Sequence, residues 1–201
     1  GVCQSEDVFL GLFTSSVYSK SVIRIPYFRL KVQEVMERAG FSNGSHDQRA
    51  LRHILEKYPR DELFQIDTDQ LARNVLGILR LQERQKIALY TRDDRLGRTV
   101  SCLVYVPRDR FDTSVRKKFQ HILEDGIGGV CNVYYTWIDD SVYARVLLII
   151  DPGEKGKIEY DAPSLEKQLQ QAGKTWAEHL EEALRDSLKN DWRTTDFTAK
   201  Y

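Results

Sequence analysis

The chain has 201 residues, with thirty Lys plus Arg set against thirty Asp plus Glu, so its formal charge is zero. That balance argues against a nucleic-acid partner, which calls for a basic stripe to displace counterions, and no apolar run reaches the ~18 residues of a membrane span. With 41% hydrophobic and 30% charged residues, the composition is that of a globular protein forming one large domain or two small ones.

Residues 1–7 read as a frayed start and carry no signal-peptide pattern. Residues 8–14 (VFLGLFT) read as a short apolar strand, followed by a polar stretch. Pro26 opens a helix at its first position, with Phe28, Val32, Val35, Met36 and Ala39 on one stripe and Gly40 past its end. Ser45 and Gln48 make a capping-box pattern for a second helix, whose buried side is Ala50, Leu51, Ile54, Leu55 and Tyr58 before Pro59 stops it. Residues 60–66 (RDELFQI) read as a connector with Leu63 and Phe64 tucked inward. Asp67 or Thr68 caps a third helix, where Leu71, Val75, Ile78, Leu79 and Gln82 share a face. Leu76 and Leu81 fall off that stripe, which predicts cover on more than one side.

From Lys86 the period drops from helical to alternating. Ile87, Leu89 and Thr91 alternate, and DDRLGR turns the chain with Gly97 supplying a positive φ. In residues 99–106 (TVSCLVYV), Val100, Cys102, Val104 and Val106 form one face, with Leu103 and Tyr105 on the other. This predicts a central strand covered on both sides and ended by Pro107. Asp112 or Thr113 caps the next helix, marked by Val115, Phe119, Ile122 and Leu123 and ended by Gly126, Gly128 and Gly129. Two strands follow, residues 130–138 and 142–150, around an acidic turn. The run VLLII at 146–150 suits an interior position. The last helix is predicted to be the longest, with Leu165, Leu169, Ala172, Trp176, Leu180, Leu184 and Leu188 in one stripe interrupted at Gly173. Residues 191–201, with Trp192 and Phe197, read as the beginning of a further region.

The order strand, strand, helix, strand, strand, helix is a circular permutation of the ferredoxin-like unit. The expected class is α+β: a four-stranded, antiparallel-rich, ferredoxin-like sheet in the order first, second, fourth, third, with both helices on one face. The expected division is residues 1–85 (a strand plus helices), 86–190 (the α+β sandwich) and 191–201 (a tail). A sheet covered on one face leaves the other bare, for the upstream helices or a second copy to cover.

Chemistry is sparse. Cys3, Cys102 and Cys131 are odd in number and widely spaced, which predicts free thiols in a reducing, cytoplasmic compartment. His46 and His53 stand two helical turns apart with no further ligand at metal spacing, and His121 and His179 lie on polar helix sides. Neither G-x-S-x-G nor G-x-G-x-x-G occurs, GEKGK at 153–157 lacks the spacing of a phosphate loop, and Asn43-Gly44-Ser45 reads as a turn. The informative pair is YPRDELF and VPRDRF, two corners sharing a P-R-D core. Arg60, Asp61, Arg108, Asp109 and Arg110 either satisfy exposed backbone ends or form a subunit or domain contact or an effector-carboxylate site. A bidentate arginine would suit an amino-acid effector.

The same corners carry a likeness. GLFTSS, IPYFRLKVQEVMERAGFSNGSHD, RALRHILEKYPRDELFQI and RTVSCLVYVPRDRFDT resemble the N-terminal half of the large bacterial NAD-specific glutamate dehydrogenases, from about Gly11 to at least Thr113. The resemblance implies a parent enzyme that oxidatively deaminates L-glutamate to 2-oxoglutarate and ammonia with NAD, its catalytic lysine and Rossmann domain lying downstream. It also implies a similarity to ACT domains, which pair through sheets or helices and bind amino acids. It transfers no catalytic, cofactor-binding or metal-binding residue to this stretch. The expected partners are therefore another copy or neighbouring domains of the parent chain, with an amino-acid effector as the alternative.

Overall fold

The structure is a computed structural model that describes residues 14–81, 84, 86–153, 159–174, 178, 180, 184 and 185. It divides into two compact units, Gly1–Gln82 and Glu83–Tyr201.

The first unit is helical: α1 (Ser16–Ser19), a 3-10 turn (Val22–Arg24), α2 (Pro26–Ala39), α3 (His46–Lys57), α4 (Arg60–Gln65) and α5 (Thr68–Leu81). Pro26 occupies the start of α2, and Gly40 ends it in the left-handed region at φ 65°, where glycine carries no Cβ penalty. Ser45 caps α3 by accepting the Gln48 N–H. The reciprocal arm departs from the usual capping box, since Gln48 Oε1 accepts from Gly44 N at 2.7 Å. Asp67 caps α5 through the Gln70 N–H at 2.7 Å. Phe28, Leu51, Leu55, Leu63, Leu71 and Val75 are fully buried, as the stripes of α2, α3 and α5 require.

Residues 60–65 are not a connector but the helix α4. Pro59 enters it in an extended conformation, and Asp61 and Glu62 sit in its first turn, where acidic groups favour the helix dipole. One and a half turns are too short to show a helical period, which hides the element in the sequence. Leu63 is buried as expected, while half-buried Phe64 packs on Phe28 with ring centroids 4.4 Å apart. Lys31 Nζ closes the far end of α4, donating to the carbonyls of Leu63 at 2.8 Å and Ile66 at 2.6 Å. The strand expected at residues 8–14 lies outside the described residues save Thr14, which is irregular.

The second unit runs β1 (Ala88–Asp93), β2 (Val100–Pro107), a 3-10 turn (Arg108–Arg110), α6 (Thr113–Ile127), β3 (Val130–Trp137), β4 (Tyr143–Asp151) and α7 (Ala162–Ala172). The sheet order is β1-β2-β4-β3, and all three pairings are antiparallel, with Leu103 opposite Tyr90 on one side and Leu147 on the other. This is the predicted topology. Gly97 takes φ 66° in the β1–β2 loop. The core joins Val100, Cys102, Val104 and Val106 of β2 and Val146, Leu148 and Ile150 of β4 to Phe119 and Leu123 of α6 and Leu165 and Leu169 of α7. Both helices thus cover one face. Neither Cys102 nor Cys131 forms a disulfide; Cys3 lies outside the described residues.

Two expectations need correction. The opposite face is not bare along its middle: Leu103, Tyr105, Tyr143, Arg145 and Leu147 are all buried, and exposure is concentrated on β3. Nor is the last helix one continuous stripe. It stops at Ala172 with Gly173 as its cap, where a Cβ would collide with the Ile87 side chain. Helical geometry returns at Glu178, Leu180, Leu184 and Arg185, yet Leu180 and Leu184 are exposed. The segment 154–158, Trp176, His179, Leu188 and residues 191–201 lie outside the described residues.

Candidate functional site

The two P-R-D corners share one local geometry. Pro59 (φ −54°, ψ 127°) and Pro107 (φ −51°, ψ 131°) each hold an extended conformation that feeds a short helix beginning Arg-Asp. They fall in different compact units.

In the first corner, Arg60 Nη2 donates to the Lys20 carbonyl at 3.3 Å and to Glu56 Oε2 at 3.5 Å. Glu56 also takes the Ser21 hydroxyl and, at 3.1 Å, the Val22 N–H, so one carboxylate ties α3 to the preceding turn. Burial pulls the Arg60 guanidinium below its ordinary value while Glu56 pulls the other way. Asp61 is exposed and accepts the Tyr18 hydroxyl at 2.8 Å.

In the second corner, Arg108 is pinned to the β3–β4 turn. Its backbone N–H reaches the Val142 carbonyl at 2.9 Å, and Nη1 reaches the Asp139 carbonyl at 3.0 Å. The Asp139 carboxylate receives Arg145 Nη2 at 2.7 Å and the Ser141 N–H at 2.9 Å. Asp109 is exposed. Arg110 grips Glu178 with both terminal nitrogens, at 3.1 and 3.0 Å, and its Nε is buried with no hydrogen-bond partner among the described residues. Asp112 caps α6 by accepting from Val115 N. Arg60 and Arg108 therefore each hold a neighbouring carbonyl, while Arg110 makes a bidentate ion pair.

Arg145, Asp139 and Glu178 belong to no motif that the sequence displays. A lone arginine in the apolar strand YARVLLIID was the available signal, because a buried guanidinium needs a partner. Arg145 lies over the Trp137 ring at 5.7 Å, beside an aromatic row in which Tyr105 meets Tyr90 and Tyr143 edge-on. Burial pushes the Tyr90 and Tyr105 hydroxyls well above their ordinary value, so they stay protonated at any physiological pH. No group of three or more metal-ligating side chains gathers among the described residues, and no helix among them is long and apolar enough to cross a membrane.

The two edges of the sheet are finished differently. On β1, Glu166 of α7 accepts the Leu89 N–H at 2.9 Å, and Gln170 donates to the Ile87 carbonyl at 2.9 Å. On β3, Glu124 of α6 accepts the Cys131 N–H at 2.9 Å. Burial alone would raise the Glu124 carboxyl, but hydrogen bonds from Gln120 and Cys131 hold it below the usual carboxylate range.

A four-stranded antiparallel sheet of order β1-β2-β4-β3 with two helices on one face defines an ACT-like α+β domain, here preceded by a helical unit. Comparison with known proteins agrees. Residues 25–84 match the model for glutamate dehydrogenase helical motif 1, and residues 88–177 that for the glutamate dehydrogenase ACT2 domain. The chain is 41% identical over 172 residues to the NAD-specific glutamate dehydrogenase of Halomonas elongata, covering 86% of this chain and 11% of that protein. It is 41% identical over 180 residues to that of Pseudomonas aeruginosa, covering 90% and 11%, and 30% identical over 187 residues to that of Mycobacterium tuberculosis, covering 87% and 12%. The chain belongs to the NAD-specific glutamate dehydrogenase family, and it spans about 11% of the length of the first two of these relatives.

Proposed function

We propose that this chain is a non-catalytic regulatory and assembly segment of an NAD-dependent glutamate dehydrogenase, whose whole protein oxidatively deaminates L-glutamate to 2-oxoglutarate and ammonia with NAD. One observation carries the reading: a helical motif and an ACT-like domain of that family fill consecutive stretches of the chain, and the domain displays an apolar strand at one edge of its sheet. Its task is to hold subunits or domains together by packing. Two cysteines outside any disulfide, one of them fully buried, are in keeping with a cytoplasmic setting. Light scattering of the chain over a wide concentration range tests the reading. Concentration-dependent association is expected, and a strictly monomeric species would count against it. Glutamate-dependent NAD reduction by this chain alone would overturn the non-catalytic part.

The unpartnered Nε of Arg110 favours a second reading, in which the P-R-D arginines sense an amino acid. A ligand carboxylate would replace Glu178 on the guanidinium fork. Calorimetry against a panel of amino acids discriminates: saturable heat lost in Arg110→Ala or Arg108→Ala supports sensing, and no heat supports scaffolding.

A further inference from the structure

The helical unit carries a groove of about 470 Å³ beside the turn that joins α2 to α3, lined by no residue of either P-R-D core. Its volume lies in the range of small-molecule sites. The floor is apolar: Val32 is buried, Met36 and Phe41 are half-buried, and Ile23 is 37% exposed. Four of the polar side chains around that floor are already bonded in pairs. Gln33 Nε2 donates to Glu37 Oε1 at 2.9 Å, and Gln48 Nε2 donates to Asn43 Oδ1 at 3.0 Å. Gln48 is held further, because its Oε1 accepts the Gly44 N–H at 2.7 Å. The remaining two are Arg29 of α2 and Arg52 of α3, and neither guanidinium makes a hydrogen bond or an ion pair among the described residues. Their own helices offer them no carboxylate. Gln33 stands one turn after Arg29 and Gln48 one turn before Arg52, while Glu56, one turn after Arg52, is taken by Ser21, Val22 and Arg60. Two arginines against Glu37 leave the lining with one uncompensated positive charge.

We propose that this groove binds a small monocarboxylate with an apolar body, its carboxylate on Arg29 and Arg52 and its chain on Val32, Met36 and Phe41. One negative charge matches the one left over in the lining, and a guanidinium suits a carboxylate in both charge and geometry. A dicarboxylate or a phosphate monoester fits worse, because its second charge would lie on the apolar floor or beside Glu37. Met36 adapts its unbranched thioether to ligand shape, so straight and branched chains are both accommodated. The Gln33–Glu37 and Asn43–Gln48 pairs set the rim before a ligand arrives, which lowers the ordering cost of binding. The site stands apart from the assembly reading and from the P-R-D arginines.

Heteronuclear NMR titration of the 201-residue chain with octanoate and with 4-methyl-2-oxopentanoate tests this, with octan-1-ol and glutarate as controls. At least one of the two acids should shift the amide signals of Gly40, Phe41, Gly44 and Arg52 saturably, with half-saturation below about 1 mM. The tighter of the two tells a straight-chain acid from a branched 2-oxo acid. Arg29→Gln and Arg52→Gln should each weaken binding about tenfold, the loss of one charge-assisted contact. Both side chains are exposed, and unchanged melting temperatures show that the variants are folded. Octan-1-ol and glutarate should each bind at least about tenfold more weakly than the better acid. Half-saturation above about 1 mM for both acids, or no saturable shift, overturns the site. Binding that survives both substitutions, or octan-1-ol binding as tightly as octanoate, overturns the role of the arginines, and glutarate binding as tightly overturns that of the apolar floor. None of these outcomes bears on self-association, which light scattering reads separately.

Discussion

β1 and β3 are both edge strands of the same sheet, yet one is tended and the other is open. β1 is six residues long and ends in Arg92 and Asp93. Arg92 Nη2 crosses to the Ser101 hydroxyl at 3.1 Å, Tyr160 donates to Asp93 at 2.8 Å, and Glu166 and Gln170 reach down from α7 to the strand's outer backbone. β3 is eight residues long, uncharged, and held from outside at Cys131. The difference lies in the helices rather than in β-propensity. α7 lies along β1, so two of its polar side chains fall on the free ladder, whereas α6 brings a carboxylate to the first turn of β3. An edge is closed by what passes beside it.

That contrast can be broken at its common support. Phe119→Ala removes a fully buried ring from the core under both edges. It should cost about 3–5 kcal/mol in urea unfolding and raise hydrogen exchange in β1 and β3 alike. Glu166→Ala should act on one edge, leaving the Leu89 N–H without its acceptor at a cost of about 1–3 kcal/mol. Faster exchange should then centre on β1, and unchanged exchange at Leu89 would show that water serves that edge as well as α7 does. Glu124→Gln is sharpened by pH. The folded carboxyl sits below the usual glutamate value, so its contribution is fully present above the unfolded value of ~4.3 and is lost as pH falls through the lowered folded value. The stability gap between wild type and Glu124→Gln should therefore close on acidification, and a gap that widens would contradict the sign. Tyr135→Lys, on the open edge, should change unfolding by no more than about 0.5 kcal/mol, whatever it does to association.

The sheet was legible because its signals are local and redundant. Alternation of Val100, Cys102, Val104 and Val106, the turn glycine at 97 and the apolar run at 146–150 together fix which strands are interior. Length concealed α4, since six residues cannot display a period. The end of α7 was misjudged because a leucine stripe records repeat, not cover: Leu180 and Leu184 continue the spacing of Leu165 and Leu169 while standing exposed. At the corners, the P-R-D cores named the residues but not their partners. Arg108 and Arg110 reach 31 and 68 residues along the chain, a separation that only the fold supplies. The expected order already put β3 at an edge, but its openness was hidden, because which groups lie beside a strand is supplied by the fold.

The two described thiols give this domain a pair of built-in clocks. Cys102 sits at the centre of β2 with no exposure, so an alkylating reagent reaches it when the whole sheet opens. Cys131 sits half-buried on β3, its sulfur turned to the Val133 carbonyl at 3.4 Å and its thiol pushed up by burial, so it should react when that strand alone peels back. With Cys3→Ser as background, the ratio of the two labelling rates reads local fraying against global unfolding in a single tube.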